Sequence, residues 1–246
     1  MVSLGDLRHG LPGLTKEATE FVCQRDLNLY KSPQQESLVT QAAAGRHLRP
    51  LAIPDVPEAQ LTAVEVVLCE DDYPGWVAIA DLLYLQPAPA PYRPSPLTLD
   101  QIQAQLPAVI AFTQVAMNQP NEYLWGGTVG PNYDCSGLMQ AAFASVGIRL
   151  PRDAYQQEAF TSAIALEDLQ PGDLIYFGTA ERTTHVALYL GEGQYIHSSG
   201  KDQGRNGIGI DSLTDTSDPV SLAYFKQLKG AGRVVASYYP KAALPQ

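Results

Sequence analysis

The sequence predicts an α+β protein built in two parts, and three observations carry that prediction. Short segments rich in β-formers and separated by turn residues fill the N-terminal third. A proline-rich stretch, Gln86-Pro87-Ala88-Pro89-Ala90-Pro91-Tyr92-Arg93-Pro94-Ser95-Pro96, follows them. Beyond it the apolar period first becomes helical and later alternates in a strand hairpin.

Over residues 15–86 the segments Glu20 to Cys23, Leu61 to Cys69 and Gly75 to Ile79 read as strands. Turn-like Ser32-Pro33 and Asp72-Tyr73-Pro74-Gly75 separate them, and short strands at such spacing predict a small β-barrel. Cys23 and Cys69 lie in apolar runs and read as core residues. The first residues, with Gly5, Gly10, Pro12 and Gly13, read as a loose arm. Five prolines within Gln86 to Pro96 predict an extended, semi-rigid linker over residues 87–97.

The second part, residues 98–240, opens on a helix over Thr98 to Met117. Leu99, Ile102, Leu106, Ile110 and Val115 form its apolar stripe, which Pro107 should disturb. A second helix starts at Cys135, with Asp134 as N-cap and Gly147 as stop. Its apolar face is Cys135, Leu138, Met139, Ala142, Phe143 and Val146. The turn Pro171-Gly172-Asp173 introduces a buried strand, Leu174 to Phe177. His185 to Leu190 and Gln194 to His197 then flank Gly191-Glu192-Gly193, a hairpin with a three-residue loop. In that register Ala187 opposes His197, and His185 is its diagonal neighbour on the same face. A two-residue loop would put the two histidines on opposite faces.

These placements point to chemistry. A thiol in the first turn of a helix meets unpaired N–H groups and the positive end of the macrodipole, which favour the thiolate. Histidines on later strands can serve such a nucleophile. The structural alternative is that Cys135 is a small buried apolar residue, as free cysteines usually are. Ser136, Gly137 and Asp134 are poor company for a dry core and weigh against that alternative.

The chain has 246 residues and a formal net charge of −10, which argues against nucleic acid and anionic membrane as partners. Three widely spaced cysteines do not form a disulfide framework. Met1 to Leu14 carries no basic segment followed by an apolar one, and no apolar run is long enough to span a bilayer. The reading is a reducing, cytoplasmic location.

Together, Tyr123-Leu124-Trp125-Gly126-Gly127, Asp134-Cys135-Ser136-Gly137, Pro171-Gly172-Asp173-Leu174, Thr184-His185-Val186-Ala187 and Tyr195-Ile196-His197 resemble the NlpC-type, papain-like cell-wall cysteine peptidases. The resemblance covers about Leu99 to Tyr239. Asn28-Leu29-Tyr30 and Gly75-Trp76-Val77 resemble bacterial SH3-like domains, and the combined layout is similar to γ-D-glutamyl-L-diamino acid endopeptidases. The resemblance implies a Cys-bearing helix packed on an antiparallel sheet behind an SH3-like β-barrel. It implies Cys135 as nucleophile, His185 as general base, His197 as its orienting partner and Tyr123 at the oxyanion site. It also implies that Trp125, Asp134 and Ser136 line the substrate groove, and that Asp153, Tyr73 and Asp72 meet the substrate's free amine. The expected partner is a peptidoglycan-derived peptide, with no cofactor and no metal. Three other readings stand beside it: a zinc site of Cys135, His185 and His197; an amidase or acyltransferase on the same fold; and a non-catalytic cell-wall binding protein.

Overall fold

The computed structural model describes residues 4–9 and 20–241. They divide into two compact units, one of residues up to Pro94 together with those from Tyr239, the other Ser95–Tyr238. The protein is a mixed helix and sheet structure in both chain order and layering.

The first unit begins with helix α1 (Leu4–His9), followed by β1 (Phe21–Cys23), β2 (Leu27–Tyr30), β3 (Leu38–Ala42), β4 (His47–Ala52), β5 (Ala63–Leu68), β6 (Pro74–Ala78) and β7 (Leu85–Pro87). The strands form one antiparallel sheet in the order β3-β2-β6-β5-β4-β1-β7. Alternation drives it: in β2 Leu27 and Leu29 point inward while Asn28 and Tyr30 are half-buried. Cys23 and Cys69 are both buried, as their apolar neighbours predict.

One expectation needs correction here. Residues 4–9 are helical rather than a loose arm, because Leu7 is fully buried in the same core cluster as Phe21, Leu29, Leu48 and Leu85. The rest of that arm, residues 1–3 and 10–14, lies outside the described residues. The extended, semi-rigid stretch expected as a linker over residues 87–97 joins the first unit's sheet over its first half. Pro87 pairs with Phe21 in the sheet, the Ala88 N–H donates to the Glu20 carbonyl, and the Tyr92 N–H donates to Glu20 Oε2 at 2.6 Å.

The second unit opens on α2 (Leu99–Met117), then the short pair β8 (Thr128–Val129) and β9 (Asn132–Tyr133), then α3 (Cys135–Ala144) and α4 (Ala154–Phe160). Next come β10 (Ser162–Ile164), β11 (Leu174–Gly178), β12 (Thr183–Gly191), β13 (Gln194–Ser199), β14 (Gly207–Ser212), α5 (Pro219–Phe225) and β15 (Leu228–Arg233). Six of the strands form an antiparallel sheet in the order β10-β15-β11-β12-β13-β14. One core joins Leu138, Met139, Ala142 and Phe143 of α3 to Val186, Leu188 and Ile196 of the sheet. A smaller cluster, Ile175, Phe177, Ala187, Tyr195, Val220 and Tyr224, includes two residues of α5.

Helix α2 runs through Pro107, capped by Thr98, whose side chain accepts from the Gln101 N–H. Pro107 is exposed, so the Gln103 carbonyl that loses its partner can turn to water. The buried side is Ile102, Val109 and Thr113, whereas Leu99 and Val115 of the expected stripe are exposed at 42% and 62%. Among the described residues no helix is long and apolar enough to cross a membrane.

Removing the Leu7 side chain should leave a cavity in the first core. Leu7→Ala is expected to lower that unit's stability by about 2–5 kcal/mol in chemical denaturation. An unchanged midpoint would contradict the docking of α1.

Candidate active site

The site is built outward from the start of α3. Asp134 caps the helix: its Oδ1 accepts from the Gly137 N–H at 2.7 Å, and its Oδ2 accepts from the Gly126 N–H at 2.9 Å. Arg152, only 1% exposed, donates from Nη2 to Asp134 Oδ2 at 2.6 Å and from Nη1 to Ser136 Oγ at 2.9 Å. The Asp134 N–H in turn donates to the Gly127 carbonyl at 3.0 Å. Position 137 must be glycine, because a Cβ there would run into that same carbonyl oxygen. Cys135 is thereby held where the Tyr123–Gly127 loop meets the helix. The side chains of Asp134 and Ser136, expected in the substrate groove, are buried and turned into this ion pair.

The thiol is not in the state its helix position predicts. Burial, then the neighbouring Asp134 carboxylate, push Cys135 up to about 12. Hydrogen bonding with the backbone at Val186 and Ser136, and the charge of Arg152, act the other way and do not offset them. The expected thiolate is therefore corrected to a protonated thiol at neutral pH. Burial also raises Cys23, to about 12, and Cys69.

Val186, whose backbone meets the thiol, adjoins His185 on β12. The hairpin that carries the histidines turns more tightly than expected. Glu192 and Gly193 alone form the turn, both at positive φ (52° and 75°), as a type I′ turn requires. A bulge between Tyr189 and Gly191 offsets the shorter loop, since Leu188 still pairs with Ile196 and Tyr189 with Tyr195. One step further along that register Ala187 opposes His197, so the histidines share a face. His185 Nε2 lies 2.7 Å from His197 Nδ1, with the rings at 88° to each other. Burial, then the adjacent His197, hold His185 well below its ordinary value of 6.5. Burial lowers His197 too, against the pull of Asp211.

Of the other sequence-predicted residues, Tyr123 is half-buried, and its hydroxyl is raised first by burial and then by the charges of Cys135 and Asp134. Trp125 is 71% exposed on the same loop. Asp153, partly exposed, heads α4; its N–H donates to Gln156 Oε1 at 3.0 Å and its carboxylate hydrogen-bonds Tyr155. Tyr73 and Asp72 belong to the first unit, in the turn between β5 and β6. There the Tyr73 N–H donates to Asp71 Oδ1 at 3.3 Å, and Asp72 Oδ2 accepts from the Lys241 N–H at 2.7 Å. Glu70 and Asp71, just before them, are buried ion-pair partners of Arg46.

Three site residues are not foreshadowed by the sequence motifs. Asp211 Oδ2 lies 2.6 Å from His197 Nε2, and Arg205 Nη2 lies 2.6 Å from Asp211 Oδ1. The Tyr224 ring stacks on His185 at 4.5 Å, and its hydroxyl lies 2.7 Å from Ser199 Oγ. An acid in the alternating run Gly207-Ile208-Gly209-Ile210-Asp211 is the available signal, since it must share the face of Gly207 and Gly209. Among the described residues no group of three or more His, Cys, Asp or Glu side chains is arranged to hold a metal ion.

Residues 120–227 match the NlpC/P60 family, and residues 29–82 match the bacterial dipeptidyl-peptidase SH3 domain. The chain is 39% identical over 97 residues to a gamma-D-glutamyl-L-lysine dipeptidyl-peptidase of Bacillus subtilis, covering 38% of this chain and 31% of that protein. It is 36% identical over 112 residues to the probable endopeptidase p60 of Listeria monocytogenes, covering 46% of this chain and 21% of that one. The matched part thus spans under a third of these relatives' length. A solved NlpC/P60 family protein from Bacillus cereus is 24% identical, covers 88% of this chain and 63% of its own, and superposes with a TM-score of 0.47.

A thiol raised to about 12 reacts only through its small thiolate fraction. Alkylation of Cys135 by iodoacetamide should therefore climb roughly tenfold per pH unit from pH 7 to 10, followed by peptide mass spectrometry. A rate that is flat across that window would show a preformed thiolate and contradict the protonated resting state.

Proposed function

From a chain that carries an NlpC/P60 domain behind a bacterial SH3 domain, we propose a cysteine peptidase that cleaves peptidoglycan-derived stem peptides between γ-D-Glu and the following diamino acid. The observation that carries the reading is the buried pairing of His185 with His197, where His185 directly precedes Val186, whose backbone hydrogen-bonds the thiol at the start of α3. The name of the Bacillus subtilis relative supports the choice of bond.

The chemistry follows from two neutral partners. His185 Nε2 faces His197, which leaves Nδ1 as the nitrogen available to the Cys135 thiol. The sulfur attacks the γ-carbonyl carbon of D-Glu while its proton passes to His185. Negative charge develops on the carbonyl oxygen. The backbone N–H of Cys135, an orphan donor at the helix start, and the Tyr123 hydroxyl are the proposed donors to it. His185 then protonates the leaving amine of the diamino acid, and a thioester remains on Cys135. Water, deprotonated by His185, releases the L-alanyl-D-glutamate product and restores the thiol. Because His185 is held well below 6.5, it stays an unprotonated base through mildly acidic pH, where an ordinary histidine would be lost.

The substrate's L-alanine ammonium is costly to bury unless it is paired. Asp153, a partly exposed carboxylate in this domain, is the proposed partner, and Trp125 the proposed apolar wall. Selection for a free amine would confine the enzyme to peptides already released from the glycan, which suits recycling of wall fragments.

Incubation with L-Ala-γ-D-Glu-L-diamino acid should yield the dipeptide and free diamino acid, and Cys135→Ala should abolish turnover without loss of fold. The N-acetylated tripeptide should show at least about tenfold lower kcat/KM, the scale of one lost pairing. Equal values for the two peptides would remove the free-amine requirement.

A further inference from the structure

We infer that Asp211, held by Arg205, is a positioning residue that sets the tautomers of both histidines, so that His185 presents an unprotonated Nδ1 to Cys135. This rests on the peptidase reading above and extends it from three residues to a connected line of four, braced by a fifth.

Donors and acceptors fix the order. The Asp211 carboxylate is 5% exposed and receives four contacts: His197 Nε2 at 2.6 Å, Arg205 Nη2 at 2.6 Å, Arg205 Nε at 3.2 Å and Ser221 Oγ at 3.4 Å. Burial alone would raise it, but His197 and Arg205 outweigh burial and hold it below the usual carboxylate value. An ionised carboxylate only accepts, so His197 Nε2 must carry its ring proton. Neutral His197 then has its lone pair on Nδ1, and the group facing that lone pair at 2.7 Å is His185 Nε2. His185 Nε2 must therefore donate, and the lone pair of neutral His185 falls on Nδ1. The opposite tautomers would set a His197 lone pair against a carboxylate lone pair at 2.6 Å.

The surroundings leave little freedom to change this order. The ring centroids of Tyr195 and Tyr224 lie 5.2 and 4.7 Å from that of His197, and those of Phe177 and Tyr224 lie 5.7 and 4.5 Å from that of His185. Gly209 opposes His197 on the neighbouring strand, and a Cβ there would strike the Arg205 guanidinium. Glycine at 209 is thus what lets Arg205 cross β14 to reach Asp211. During attack the thiol proton moves to His185 Nδ1 and the resulting imidazolium keeps its Nε2–H donated to His197. No proton reaches Asp211, whose fixed negative charge stabilises the cation through His197.

Asp211→Asn tests this. Arg205 is a donor only, so the amide oxygen stays on its side and the amide N–H turns toward His197 Nε2. Both tautomers then reverse, and His185 offers the thiol an N–H instead of a lone pair. The expected loss in kcat is about 10⁴-fold, the scale seen when a triad aspartate is made asparagine, with KM little changed. Nitrogen NMR of the histidine side chains, recorded on the whole chain without substrate, should show His197 protonated at Nε2 in the parent and at Nδ1 in the variant. A parent His197 protonated at Nδ1, or a variant within threefold of the parent kcat, would overturn the proposal. If the variant fails to fold, the parent spectrum alone decides. Tautomers are read without turnover, so a parent that cleaves no stem peptide would refute the peptidase reading while the spectrum still decides the tautomers.

Discussion

Asp134 and Arg152 set the geometry from which the rest of the site follows. Two charges are removed from water together, and their contacts join the Gly126 N–H, the first turn of α3 and the segment that leads into α4. A buried pair of this kind contributes little net stability, but losing one partner strands the other charge. Its effect here is positional: the first turn of α3 can occupy only one place against the Gly126-Gly127 loop, and Cys135 goes with it. Burial first, and then the same carboxylate that caps the helix, lift the thiol, so rigidity at Cys135 comes with a protonated resting state.

The sheet answers that constraint. In the proposed mechanism a buried, protonated thiol needs a base that is itself unprotonated, and burial among Phe177, Tyr195 and Tyr224 lowers both histidines. Neutral imidazoles have one lone pair each, so their order matters more than their number. Pairing of β13 with β14 brings Asp211 alongside Tyr195 in register, which carries a carboxylate to the far side of His197. His185, His197 and the Asp211 carboxylate thus follow one another across β12, β13 and β14.

Where local chemistry decides structure, the sequence is informative. The Asp134 cap, the α3 face and the buried run of β11 are all signals within a few residues, and each is present in the structure. The shared face of His185 and His197 also follows from the sequence, although the loop is one residue shorter than expected and the bulge near Leu190 makes up the difference. Features that depend on distant partners are not legible. Leu7 looks like part of a loose arm until its core neighbours are known. Arg152 meets Asp134 across 18 residues, and Arg205 needs Gly209 to reach Asp211. The state of the thiol is hidden for a related reason: a helix N-terminus is visible in sequence, whereas burial is not.

The central claim is that Cys135 attacks the substrate and carries it covalently. Acid quenching of the enzyme during turnover of a stem tripeptide, followed by intact-mass and peptide mass spectrometry, tests it most directly. The predicted result is an L-alanyl-γ-D-glutamyl group attached to Cys135 and to no other residue. Turnover with no acyl adduct trapped under any quench time, or an adduct elsewhere in the chain, would contradict it.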